Sequence, residues 1–142
     1  MMLASLAITR LIRAPRERVF AAWTSPEQLK QWWGPGPITC PEAHIDLRAG
    51  GDYRIANLEV DGSIIWIYGT FQQVTPPERL VYTWSVGTES SQPTLVSLDF
   101  KRHPEGTELV LRHERIANAA HRDGHAKGWN GCLDKLEALF VA

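Results

Sequence analysis

Cysteine is scarce. The 142-residue chain has two, Cys40 and Cys132, too few for a disulfide framework and without the paired spacing of a zinc site. Charge of one sign is missing as well: 15 Lys and Arg stand against 16 Asp and Glu, for a formal net charge of -1. That balance gives no overall field to draw the chain to nucleic acid or an anionic membrane. No apolar run approaches the roughly 20 residues of a membrane-spanning helix. The apolar opening at 1–8 has no basic stretch before it and is interrupted by Arg10, which argues against a signal peptide. There is no repeat, low-complexity tract or linker. Covalent catalysis finds little support, since there is no Gly-x-Ser-x-Gly elbow and no phosphate-binding glycine loop. These absences leave a single soluble domain over 1–142, expected in the cytoplasm, with no cofactor, no bound metal, and neither nucleic acid nor membrane as a partner.

What is present is apolar and aromatic. Hydrophobic residues make up 44% of the chain, and 6 Trp stand beside 3 Tyr and 4 Phe, enough to build a core without metal or disulfide support. Indoles suit cavity walls as well as cores, because each combines a large apolar surface with one N–H donor.

Alternation predicts a strand over 4–13, with Leu6, Ile8 and Ile12 on one face and Arg10 on that same face. Pro15 opens a helical stretch whose buried stripe is Val19, Phe20 and Trp23. A second short helix starts at Ser25-Pro26-Glu27, and Gly34-Pro35-Gly36-Pro37 closes that region. Strands follow through Ala43, Ile45 and Leu47, then through Tyr53 and Ile55. Asp61-Gly62 marks a hairpin before the strand over 64–74. After the turn at Pro76-Pro77, Leu80, Tyr82, Trp84 and Val86 share a face. A polar loop over 87–93 leads to Val96, Leu98 and Phe100, and Leu109, Leu111 and His113 line the inner face of the last strand.

From 121 to 140 the pattern is helical, with Trp129, Cys132, Leu133, Leu136 and Phe140 on one stripe and His125 one turn earlier. Gly124, Gly128 and Gly131 each weaken that helix by about 1 kcal/mol relative to Ala, a cost best explained by a close approach of backbone or a bulky group. The expected architecture is α+β: about seven antiparallel strands curved around the long terminal helix, two short helices after the first strand, and a pocket between sheet and helix.

Five sequence features occur together in order: Ala14-Pro15 with Val19, Phe20 and Trp23; Trp32-Trp33-Gly34-Pro35; Asp46-Leu47-Arg48 with Gly50-Gly51; Pro76-Pro77-Glu78-Arg79-Leu80 leading to Trp84; and Gly124-His125 with Gly128-Trp129 and Leu133. In these the chain resembles the START-like, or helix-grip, superfamily, in the branch related to the C-terminal domain of the activator of the 90-kDa heat-shock protein ATPase. The resemblance runs from about 7 to 140. It implies a curved sheet gripping the terminal helix around a cavity. Relatives of this fold include lipid carriers, polyketide cyclases and a co-chaperone domain, so the fold alone selects no function.

The leading expectation is a cavity that binds a small apolar or aromatic molecule, walled by Trp23, Trp33, Tyr53, Tyr82, Trp84 and Trp129. His113 and His125 would offer one donor and one acceptor each, and Arg10 could hold an anionic group. Each polar candidate has a structural alternative. Either histidine can be satisfied by a protein partner, and Arg10 can pair with a nearby strand carboxylate or leave for solvent. One of the two adjacent indoles Trp32 and Trp33 is expected to pack while the other covers the mouth or is exposed. His121 and His125 have a spacing that could share a metal, with His113 or Glu114 as third ligand, but no His-Glu-x-x-His pattern supports it. Trp66 and Tyr68 oppose Ile65, Ile67 and Phe71 on one strand, and periodicity leaves open which set faces out. An outward Trp66 and Tyr68 would offer a homodimer surface. The alternative functions are a co-chaperone-like module acting on the 90-kDa heat-shock protein, and a cyclase- or hydrolase-type enzyme using the same cavity.

Overall fold

The computed structural model describes residues 3–87 and 92–141. It runs as one strand, two short helices, six strands and a long helix. β1 (Ala4–Ile12) alternates as its sequence dictates and ends on Ile12, which is fully buried. Pro15 caps α1 (Arg16–Thr24), where its fixed φ and missing N–H cost the helix nothing.

α2 (Pro26–Leu29) is a single turn, so Trp32 and Trp33 fall after it rather than on it. Of the two alternatives to packing, exposure is ruled out, since both are buried at 1% and 3% exposure, and Trp33 lines the cleft described below. Two neighbours can both point inward because neither is held to helical geometry. The Trp32 indole donates to the Ala22 carbonyl at 2.9 Å, locking the turn beneath α1.

Six further strands, β2 (Ala43–Ile45), β3 (Asp52–Leu58), β4 (Ile64–Thr75), β5 (Arg79–Val86), β6 (Thr94–His103) and β7 (Gly106–Ile116), follow in sequence. They pair with β1 in one antiparallel sheet of order β1-β7-β6-β5-β4-β3-β2. β2 stops before Leu47, which is exposed. Residues 88–91 of the expected loop over 87–93 lie outside the described residues.

The open question on β4 is settled by burial. Ile67 and Phe71 face the core, Tyr68 is exposed, and the Arg54 guanidinium lies 5.0 Å over the Trp66 ring on the outer side. The pairing with β5 shifts between Phe71 and Gln73, and this irregularity also lets Val74 pack against the core. A second bulge, with Arg115 at φ 64, lets His113 and Ile116 both face inward although they are three residues apart.

α3 (Ala119–Leu139) begins at Asn118, whose side chain accepts from the His121 amide at 2.9 Å. Its buried stripe is Trp129, Cys132, Leu133 and Leu136. Arg10 reaches up from β1 to this helix, donating to Asp134 Oδ1 at 2.9 Å, to Asn130 Oδ1 at 2.9 Å and to Glu137. The structural alternative for Arg10 therefore holds in modified form, because its carboxylates come from the helix and not from a strand. Those contacts occupy the guanidinium, and it does not border the cleft described next.

Candidate functional site

Most of the space between sheet and helix is filled by side chains. Trp23 stacks on Trp129 at 6.0 Å and leans on Trp32 at 4.8 Å. Its N–H donates to the Tyr82 hydroxyl at 3.3 Å, and the Tyr53 hydroxyl donates to the Thr83 carbonyl at 2.6 Å. Burial pushes both phenols above their ordinary range, so both stay protonated. The void left around Trp23, Tyr53 and Tyr82 is about 20 Å³, room for about one water. Trp23 and Tyr82 thus border little free volume, while Tyr53 also borders a separate groove of about 1030 Å³ along β2–β5.

Open volume lies under the N-terminal half of α3, in a cleft of about 100 Å³. Its helix side is Gly124, His125, Gly128 and Cys132. A Cβ added to Gly124 or Gly128 would meet nothing within 4 Å, whereas one added to Gly131 would lie 2.7 Å from Pro35 Cβ. The close approach anticipated from the helix glycines is thus real at Gly131, where the loop after α2 presses on the helix. One turn earlier the bare backbone faces open space instead.

Three indoles wall the cleft. Trp33 meets Trp129 edge-on at 5.5 Å, Trp84 meets Trp129 at 5.1 Å, and Trp33 meets Trp84 at 6.1 Å. The Trp33 N–H donates to Asn57 Oδ1 at 2.9 Å, which ties the loop after α2 to β3 and fixes that wall. Ile67 completes the sheet side. Of the residues expected from sequence, Trp33, Trp84, His125 and Trp129 come together here. Asn57, Ile67, Pro35 and Cys132 were not anticipated as lining; Cys132 had its place on the helix stripe of Trp129 as a signal, and the other three had only the run of helix glycines opposite.

His113 stands behind the wall and is wholly buried. The Trp129 N–H donates to its Nδ1 at 3.0 Å, and its Nε2 lies 2.7 Å from the Thr94 hydroxyl. That hydroxyl is also 3.2 Å from the Trp84 carbonyl. With Nδ1 accepting, the proton of a neutral ring sits on Nε2, which donates to Thr94 Oγ1. Thr94 in turn donates to the carbonyl. Every valence closes, so the structural alternative for His113 describes its contacts. Burial first, and then the neighbouring His125, hold its pKa down at about 3. The two imidazole centroids are 4.5 Å apart, and His125 borders the cleft on one side and a second, larger groove of about 480 Å³ beside Thr94 on the other.

The cleft has little apparatus for covalent chemistry. Burial raises the Cys132 thiol to about 11, so it packs as a neutral thiol. No group of three His, Cys, Asp or Glu able to hold a metal occurs among the described residues. Nor is any described helix long and apolar enough to cross a membrane.

The comparisons with known proteins bear on the same architecture. A search of curated proteins found no match. Among solved structures, protein CV1439 from Chromobacterium violaceum is similar at 26% identity, covering 96% of each chain with a TM-score of 0.87. The AHSA1 (SPO3351) protein from Silicibacter pomeroyi is similar at 27% identity, covering 95% of this chain and 96% of its own, TM-score 0.83. An AHSA1-like protein from Aeromonas hydrophila, at 22% identity and TM-score 0.80 over 95% of this chain and 90% of its own, shares the fold. The family model described as activator of Hsp90 ATPase homolog 1-like protein matches residues 13–141. The chain belongs to that family, and its curved sheet closed by a terminal helix is the START-like, helix-grip fold.

Proposed function

We propose that this protein binds a small, largely apolar aromatic molecule in the cleft between α3 and β3–β5. The observation that carries this reading is the pair Gly124 and Gly128, two helix-weakening residues on the border of the cleft where an added Cβ would meet nothing within 4 Å, while three indoles stand opposite. The cleft is about 100 Å³, the scale of a single ring. Burying one such ring, roughly 150 Å² at about 25 cal/mol per Å², yields about 4 kcal/mol, on the order of a millimolar Kd for a bare fragment. A natural ligand would extend beyond the cleft to bind more tightly. Both cysteines are free, which fits action in the reducing cytoplasm.

The test is titration of ethylbenzene into the 15N-labelled protein at millimolar concentration. The Gly124 and Gly128 amides and the Trp33 and Trp129 indoles should shift together, and Gly128→Leu should remove the response. Shifts confined to other surfaces, or none, overturn the proposal.

A second reading follows from the family description and from exposed Val60 and Ile64 at the β3–β4 hairpin. In it the chain docks through that hairpin on the 90-kDa chaperone. Stimulation of the chaperone ATPase that Ile64→Asp abolishes would support it, and no stimulation would remove it.

A further inference from the structure

Resting on the cleft-binding reading, we propose that the ligand carries a neutral carbonyl oxygen that accepts a hydrogen bond from the indole N–H of Trp84. Trp84 is 8% exposed, and its Nε1 is buried without a hydrogen-bond partner among the described residues. The other core indoles show how unusual this is. Trp23 donates to Tyr82, Trp32 to Ala22, Trp33 to Asn57 and Trp129 to His113. Buried N–H groups are nearly always paired, and an orphan costs free energy that some compensating contact should offset.

The orphan sits on a ring that borders the cleft. An indole N–H is a donor only, so its complement must be an acceptor. Neither lysine nor arginine lines the cleft, and a carboxylate stripped of water among indoles would lack a strong counter-charge. A neutral carbonyl satisfies the donor without that desolvation. His125 sits next to the Trp84 ring, centroid to centroid 6.2 Å and nearly perpendicular, on the boundary between the cleft and the adjoining groove.

Acetophenone and ethylbenzene differ by C=O in place of CH2 and so isolate the contact. Replacing Trp84 by benzothienylalanine keeps the ring shape and removes the N–H. The ratio of the ethylbenzene Kd to the acetophenone Kd should fall about tenfold on that replacement. In the natural protein, acetophenone but not ethylbenzene should move the Trp84 indole proton downfield, a readout that survives if the variant does not fold. An unchanged ratio and an unmoved proton, with both probes still shifting Gly124 and Gly128, overturn the carbonyl contact and leave the cleft reading standing. Benzoate binding more tightly than acetophenone overturns the neutral-carbonyl assignment. No response of Gly124 and Gly128 to either probe removes both proposals.

Discussion

The hydrogen bond from Trp129 to Nδ1 of His113, 3.0 Å long, fixes which nitrogen of the imidazole is protonated. It thereby orders a chain running through Thr94 to the β5 backbone. The cleft wall and the buried imidazole form one unit: Trp129 presents its ring to the cleft and its polar edge to the histidine. The face that a ligand would touch is held from behind by a group that must stay neutral.

That neutrality has a measurable consequence. The pKa of His113 is about 3 in the folded protein and about 6.5 in an unfolded chain. Between those values the unfolded state binds the extra proton and the folded state does not, so stability is full above the unfolded pKa and falls as pH drops. The slope approaches 1.4 kcal/mol per pH unit for this one group. Urea unfolding at pH 7 and pH 5 should show that loss, and His113→Asn should flatten it whatever its absolute stability. An equally steep slope in the variant would assign the effect to other groups.

The glycines of α3 make opposite predictions although they lie within two turns. At Gly124 and Gly128 a methyl group meets nothing, so each Ala substitution should raise stability by about 1 kcal/mol through helix propensity. The same methyl narrows the cleft, so Gly128→Ala should weaken ethylbenzene binding while raising Tm. At Gly131 the methyl would press on Pro35 Cβ and Cα, at 2.7 and 3.1 Å, and a rigid ring in a packed turn cannot swing aside. Gly131→Ala should lower stability by about 1–3 kcal/mol. Thermal melts of the three variants, with a binding titration, read out all of this.

The sequence carried the fold far better than the site. Period-two alternation placed every strand except the short β2, where exposed Leu47 mimics a core position. Helical spacing likewise placed Trp129, Cys132, Leu133 and Leu136. Periodicity states which face a residue is on, but not whether that face is filled. Tyr53, Tyr82 and Trp129 are equivalent by pattern, yet the first two surround about 20 Å³ and the third borders about 100 Å³. The difference comes from where the loop carrying Pro35 lands on α3, a contact between residues 96 positions apart that no local pattern encodes. Arg10 was ambiguous for the same reason, since its partners are on the helix 120 or more residues away.

Arg10 fastens that helix to the edge strand. Its guanidinium side chain is 19% exposed, while Asp134 and Glu137 are 71% and 39% exposed. Solvent screening therefore limits the contact to about 1–2 kcal/mol. Arg10→Ala should lower stability by that amount at low salt and by less in 1 M NaCl, where the Debye length shrinks to about 3 Å. A salt-independent loss would point to packing of the aliphatic stem instead.

Thr94 offers the sharpest test of the chain behind the cleft wall. Its hydroxyl accepts a hydrogen bond from His113 Nε2–H and donates one to the Trp84 carbonyl. Thr94→Val keeps the shape but strands the Nε2 proton in a site with no exposure. The variant should lose about 1–3 kcal/mol, and Thr94→Ser, which restores the hydroxyl, should recover most of it. Because the stranded proton also loosens the imidazole that holds Trp129, the valine variant should broaden the Trp129 indole resonance, and the serine variant should leave it sharp. If both variants are equally stable, with sharp indole signals, the proton on His113 is not where this geometry puts it.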